Sequence, residues 1–130
     1  LKSVGPIFSL RSIIKNLPKD KFETFVISLS KNLDQDITED FIQAGSTIFS
    51  LELSKGVQIL FGKTKLERLL RKIHPRILHS QGLSADFMNT RVRTSAIKMS
   101  TLRCFPHDYF INQYGAIKGK FILYFFLRNL

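Results

Sequence analysis

Two segments of this 130-residue chain place polar side chains where an α/β protein holds its ligands. Ile77-Leu78-His79-Ser80-Gln81-Gly82 begins apolar, turns polar and meets a glycine. Ser100-Thr101-Leu102-Arg103-Cys104-Phe105-Pro106-His107-Asp108-Tyr109 has the same form, a strand-like run that opens into a polar loop. In a parallel sheet, ligands are bound in the crevice beyond the carboxyl ends of the strands. Two such ends in one small chain predict an enzyme domain rather than a structural module. Arg103 can hold a phosphate or carboxylate through two parallel hydrogen bonds, but it stays protonated and cannot act as a general base. Asp108 has the side chain of an N-cap for the helix that follows it.

Other chemistry is excluded by what the sequence lacks. It has no GxGxxG, no Walker A lysine loop, no GxSxG elbow and no HExxH. His74, His79 and His107 are not at metal-ligand spacing, and the single cysteine, Cys104, brings no partner for a cluster or a disulfide. The sequence therefore predicts no metal and no cofactor. His74, beside Pro75 at a helix end, reads as a cation favoured by the helix dipole. Cys104 reads as a small buried residue.

The elements that must position these residues alternate along the chain. Pro6 suits the first turn of a helix, Ile7, Leu10, Ile13, Ile14 and Leu17 recur at helical spacing, and Pro18 stops the run. Phe25 to Leu29 is short and almost wholly apolar, as a strand buried on both faces would be. Asp36 or Thr38 is the expected cap of a short helix through Phe41 and Ala44, which Gly45 ends. Thr47 to Leu51 is the next strand. A longer helix carries Leu66, Leu69, Leu70 and Ile73 on one face and Lys63, Lys65, Arg68, Arg71 and Lys72 on the other, up to Pro75. Ile77 to His79 is a third strand, Ser84 or Asp86 starts a helix over Phe87 and Met88, and Ala96 to Leu102 is a fourth strand. Tyr109 to Tyr114 and Phe121 to Leu130 read as helical.

This alternation predicts an α/β fold, a Rossmann-like parallel sheet with crossover helices on both faces. The length suits one domain, residues 1–130, with a real core. The chain opens on Leu1 rather than methionine, and the Gly5-Pro6 helix start has the form of the second half of a strand–loop–helix unit. A first strand is therefore expected upstream, and the chain reads as part of a larger protein.

Charge is spread unevenly. Residues 1–52 hold six Lys or Arg against seven Asp or Glu, whereas residues 53–130 hold fourteen against three, a net of +11. Such asymmetry predicts a face turned towards phosphate, acidic lipid or nucleic acid. A nucleic-acid-binding module is the alternative reading, but it rests on charge alone. The sequence has no RNP-type aromatic motif, zinc finger or compact helix-turn-helix pattern, so no nucleic-acid partner is expected. No apolar run reaches the length of a membrane span. The residues Phe121 to Leu127 are apolar almost all round and follow lysines, which suits burial against another domain or a membrane-surface helix.

Taken in order, these segments resemble the N-terminal half of a GT4-type retaining glycosyltransferase, in a branch that builds bacterial polysaccharides. Ile73-His74-Pro75-Arg76-Ile77-Leu78-His79-Ser80-Gln81-Gly82 is similar to that family's KPDIIHSHG segment. Ser100 to Tyr109, with Tyr114-Gly115 and Lys118-Gly119 behind it, is similar to STIHNFPYEDY…YGKLKG, and Leu1 to Leu17 resembles the glycine-containing loop and first helix. The resemblance implies the acceptor-side Rossmann-like domain of a GT-B fold, with the C-terminal domain that binds most of the nucleotide-sugar donor absent from this chain. It implies transfer of a sugar to a glycan or lipid-linked acceptor, in the cytoplasm or peripherally on the inner face of the cell membrane, by a pair of domains of which this one alone is inactive. Gly5 then matches the loop glycine that lets backbone approach the sugar diphosphate. Gln81 and Gly82 match the polar tip where acceptor hydroxyls bind, and Asp108 matches the aspartate before tyrosine. Arg103 stands where many members carry histidine, and Arg76 where aspartate is usual. These departures fit a diverged copy, and an inactive remnant of such an enzyme is a further alternative.

Overall fold

Proline and glycine set the element boundaries in the computed structural model, which describes residues 5–30, 35–102 and 105–128. Helix α1 (Gly5–Asn16) ends just before Pro18, and strand β1 (Thr24–Ser28) follows. Helix α2 (Gln35–Gln43) stops at Gly45, whose φ of +84° suits glycine, and strand β2 (Ser46–Ser50) comes next. Helix α3 (Lys55–Ile73) ends before Pro75, with His74 at a φ of 46°, a conformation in which histidine is over-represented. Strand β3 (Ile77–Gln81), helix α4 (Leu83–Arg91) and strand β4 (Ile97–Thr101) follow, then helices α5 (Pro106–Tyr114) and α6 (Ala116–Arg128).

The chain divides into two compact units, Leu1–Leu66 and Glu67–Leu130. In the first, β1 and β2 pair in parallel from Thr24↔Ser46 to Ser28↔Ser50. Ile14 of α1, Val26 of β1, and Ile37 and Phe41 of α2 form its buried cluster, with Ile7, Leu10, Ala44 and Ile48 packed around them. Phe41 is fully enclosed, which stabilises the fold by about 2–3 kcal/mol relative to an exposed ring. Arg11 pairs with Asp40 at 3.0 Å on the outside of the α1–α2 contact. Lys19 ties the ends of both helices together, its Nζ donating to the carbonyls of Ile14 and Ala44. Beyond β2, Leu51 N donates to Ser28 O at 2.8 Å and Leu53 N to Leu29 O at 2.9 Å, so both leucines are carried into the interior.

In the second unit, β3 and β4 are parallel from Ile77↔Ile97 to Gln81↔Thr101. Side chains alternate across a strand, so Leu78, Ser80, Lys98 and Ser100 share one face and Ile77, His79, Gln81, Ile97, Met99 and Thr101 the other. Helix α4 covers the first of these faces with the buried side chains of Asp86, Met88 and Asn89. Helices α5 and α6 form a hairpin about Gly115. Its closest approach is at Gly119, where an added Cβ would lie 2.5 Å from the Phe110 carbonyl oxygen.

The α/β class and the parallel pairing agree with the sequence. The strands form two two-stranded sheets rather than one, because among the described residues no strand pairs with both. Expected helix starts were also misplaced. Asp36 and Thr38 lie inside α2, and Ser84 and Asp86 inside α4, whose N-cap is Gly82. Helix α5 begins at Pro106 rather than Tyr109, with Phe105 at the N-cap, so Asp108 sits in the first turn instead of capping it. Helix α6 begins at Ala116, a full turn before Phe121. A proline at the first helical position needs no N–H partner, which explains the early start of α5.

Candidate functional site

The polar strand ends meet at one edge of the second unit. Gln81 and Thr101 are register partners at the carboxyl ends of β3 and β4, and both are half-buried. Gly82 follows Gln81 with φ +93° and ψ 148°, a conformation almost confined to glycine, and turns the chain directly into α4. Asp86 N donates to Gly82 O at 2.8 Å, which closes the first turn. No side chain caps α4, so the leading amide groups of that helix lie beside the exposed Gly82 at the same edge as Gln81.

A polar cluster beneath this rim fixes its position. Asp86, 2% exposed, accepts from Ser80 Oγ at 2.7 Å and Ser100 Oγ at 2.6 Å through the same carboxylate oxygen. Ser80 and Ser100 are themselves register partners, so one carboxylate from α4 bridges the two strands just before their ends. Asn89, one helical turn further along α4, donates from Nδ2 to Ser80 Oγ and Met99 O, both at 2.9 Å. Because Met99 O can only accept, it fixes which end of the amide points at the sheet. The order is then Asn89 to Ser80 to Asp86, each hydroxyl or amide proton directed at the next acceptor. Bonds to an ionised acceptor contribute about 1.5–3 kcal/mol each, which offsets the desolvation of the carboxylate. On the opposite sheet face, His79 Nε2 lies 2.7 Å from Thr101 Oγ1 and ties the same strand ends diagonally.

This arrangement presents a polar edge on a rigid base. Its deep carboxylate holds the two strands together, and Gln81 and Gly82 follow at the end of β3 beside the leading amide groups of α4. Of the residues singled out in the sequence, the neighbours Gln81 and Gly82 lie at the carboxyl end of β3, where Gln81 pairs in register with Thr101. Asp108 is in the first turn of α5, exposed, with its carboxylate 3.0 Å from His107 Nδ1. Gly5 opens α1 in the first unit. A Cβ there would meet nothing within 4 Å, so local packing does not require glycine. Arg103 and Cys104 lie outside the described residues, as does Leu130 at the expected end of the last helix. Among the described residues no group of His, Cys, Asp and Glu is placed to hold a metal ion.

Sequence reasoning named Ser80, Ser100 and Asp86 but not the buried bridge that joins them, and it missed Asn89. The available signal was one serine on each strand, Ser80 and Ser100, on the same face as an Asp and an Asn three residues apart on the short helix between them. The chain's own neighbours add nothing to this reading: no family model, curated protein or solved structure matches it.

Proposed function

We propose that this chain is the acceptor-side, N-terminal Rossmann-like domain of a glycosyltransferase of GT-B architecture. It acts with a second domain that binds the nucleotide-sugar donor. The observation that carries the reading is the pair of in-register, polar strand ends, Gln81 and Thr101, with Gly82 turning straight into an uncapped helix. That is the position where parallel α/β proteins hold ligands. The resemblance of residues 73–82 and 100–119 to glycosyltransferase segments supplies the chemical class.

In this reading the Gln81 amide binds acceptor hydroxyls, and Gly82 lets the glycan approach the backbone. Arg103 takes a phosphate oxygen of a lipid-linked acceptor or of the donor, Gly5 admits the sugar diphosphate to the backbone, and Asp108 takes part in acceptor binding. The reaction passes a sugar from the nucleotide sugar to a glycan or lipid-linked acceptor in cell-surface polysaccharide synthesis, on the cytoplasmic side of the membrane. No helix among the described residues is long and apolar enough to cross a membrane.

Calorimetric titration of the chain with a panel of oligosaccharides, sugar diphosphates and a single-stranded oligonucleotide tests this. The expected result is weak saturable binding of at least one oligosaccharide or sugar diphosphate, lost in Gln81→Ala. Binding of the oligonucleotide alone, with a steep salt dependence, would reject it in favour of a nucleic-acid module.

A further inference from the structure

We infer that the outer face of α6 binds an anionic lipid bilayer, with the helix lying in the plane of the surface. This contact is independent of the sugar-transfer reading and would stand if the chain bound no sugar.

Helix α6 has thirteen residues, Ala116–Arg128, and none is acidic. Its inner side is settled by Gly119, which is buried against the backbone of Phe110 and Ile111, with Ile122 and Leu123 half-buried on the same side. At roughly 100° per residue, Leu127, Lys120, Tyr124, Ile117, Arg128, Phe121, Phe125 and Lys118 fill the opposite half-turn in that order. The apolar members are open to solvent: Ile117 is 88% exposed, Phe121 73%, Tyr124 64% and Leu127 54%. Lys118, Lys120 and Arg128 are exposed among them. Arg91 adds a fourth cation, its guanidinium 5.0 Å above the Phe87 ring on which Phe125 packs.

The occupant follows from this interleaving of charge and ring. The core of a protein interface is depleted of lysine, whereas this face carries Lys118 and Lys120 among its exposed apolar side chains. Single-stranded nucleic acid is held in basic grooves, whereas this face is the convex side of a helix and includes aliphatic Ile117 and Leu127. A bilayer surface accepts both kinds of group at once. Rings and aliphatic chains enter the boundary below the headgroups while lysine and arginine stems extend upward to anionic phosphates. Residues 67–130 hold eleven Lys or Arg against three Asp or Glu, a net charge of +8 that draws the unit towards the same surface.

Flotation of the chain with phosphatidylcholine vesicles, with and without phosphatidylglycerol, tests the inference, with Phe121→Trp as a reporter in a protein that has no tryptophan. Co-flotation is expected only with the anionic vesicles, together with a blue shift of the reporter's indole emission and its quenching by brominated lipid. The double variant Ile117→Ser, Phe121→Ser removes only exposed groups and should keep the far-ultraviolet spectrum while lowering the bound fraction by at least about tenfold. Absence of flotation with anionic vesicles overturns the inference. So does flotation unchanged in the double variant, which would reflect diffuse charge. A blue shift that appears with protein concentration or with added oligonucleotide, but not with vesicles, assigns the face to a second copy or to nucleic acid and overturns it equally.

Discussion

Replacing Gly119 by alanine reverses the usual helix rule, and the structure sets the size of the reversal. In a helix interior, alanine is favoured over glycine by about 1 kcal/mol. At Gly119 the new methyl group would lie 2.5 Å from the Phe110 carbonyl oxygen and 2.8 Å from Ile111 Cα, where ordinary contact begins at 3.4 Å. Both neighbours are backbone atoms of α5, so no side-chain rotation relieves the overlap and the two helices must separate by most of an ångström. Overpacking of this kind costs about 1–3 kcal/mol, to which the loosened packing of Phe110 adds. The net expectation for Gly119→Ala is a loss of about 1–2 kcal/mol despite the better helix former. Urea unfolding followed by circular dichroism, compared with Gly5→Ala as the control, measures it. Gly5 has open space around it, so its alanine variant should be neutral or slightly more stable. A Gly119→Ala protein as stable as the parent would refute the close α5–α6 contact and with it the orientation of α6.

Four further substitutions, at three positions, probe the base of the rim and the other core. Asp86→Ala should lower stability by about 2–4 kcal/mol, because Ser80 and Ser100 lose a shared charged acceptor, while Asp86→Asn should lose about half as much by keeping a neutral one; equal unfolding midpoints for the two variants would contradict the bridge. Gly82→Ala should cost about 1–3 kcal/mol through backbone strain alone, since no atom lies within 4 Å of the added methyl, and urea melts read it directly. Phe41→Ala should cost about 3–5 kcal/mol in the first unit, seen as a lowered thermal midpoint.

Residues whose role depends on local pattern were legible in the sequence. Ile7, Leu10 and Ile14 at helical spacing do face the first core, and Leu66 and Leu70 of α3 are buried, although Ile13 in the first pattern is 47% exposed. Gly45 ends its helix as its type suggests. The strand expected from Ile77 is also present, lengthened from His79 to Gln81, but Gly82 leads straight into α4 rather than into a loop. What was illegible depends on contacts between distant residues. Asp86 has the residue type of a cap, and only the arrival of Ser80 and Ser100 from two strands turns it into a buried bridge. The division of the strands into two sheets is likewise a matter of pairing, which alternation alone does not specify. Asp108 was misread as a cap because Pro106 starts α5 without one.

The central claim is that ligand binds at the carboxyl ends of β3 and β4, and amide chemical-shift mapping of the isotope-labelled chain tests it at residue level. On titration with the oligosaccharide or sugar diphosphate that binds most tightly, the largest shifts are expected at Gln81, Gly82, Leu83 and Thr101, with α2 and the core around Phe41 unmoved. Shifts centred elsewhere, or a saturable shift that leaves Gln81 and Gly82 in place, would contradict it.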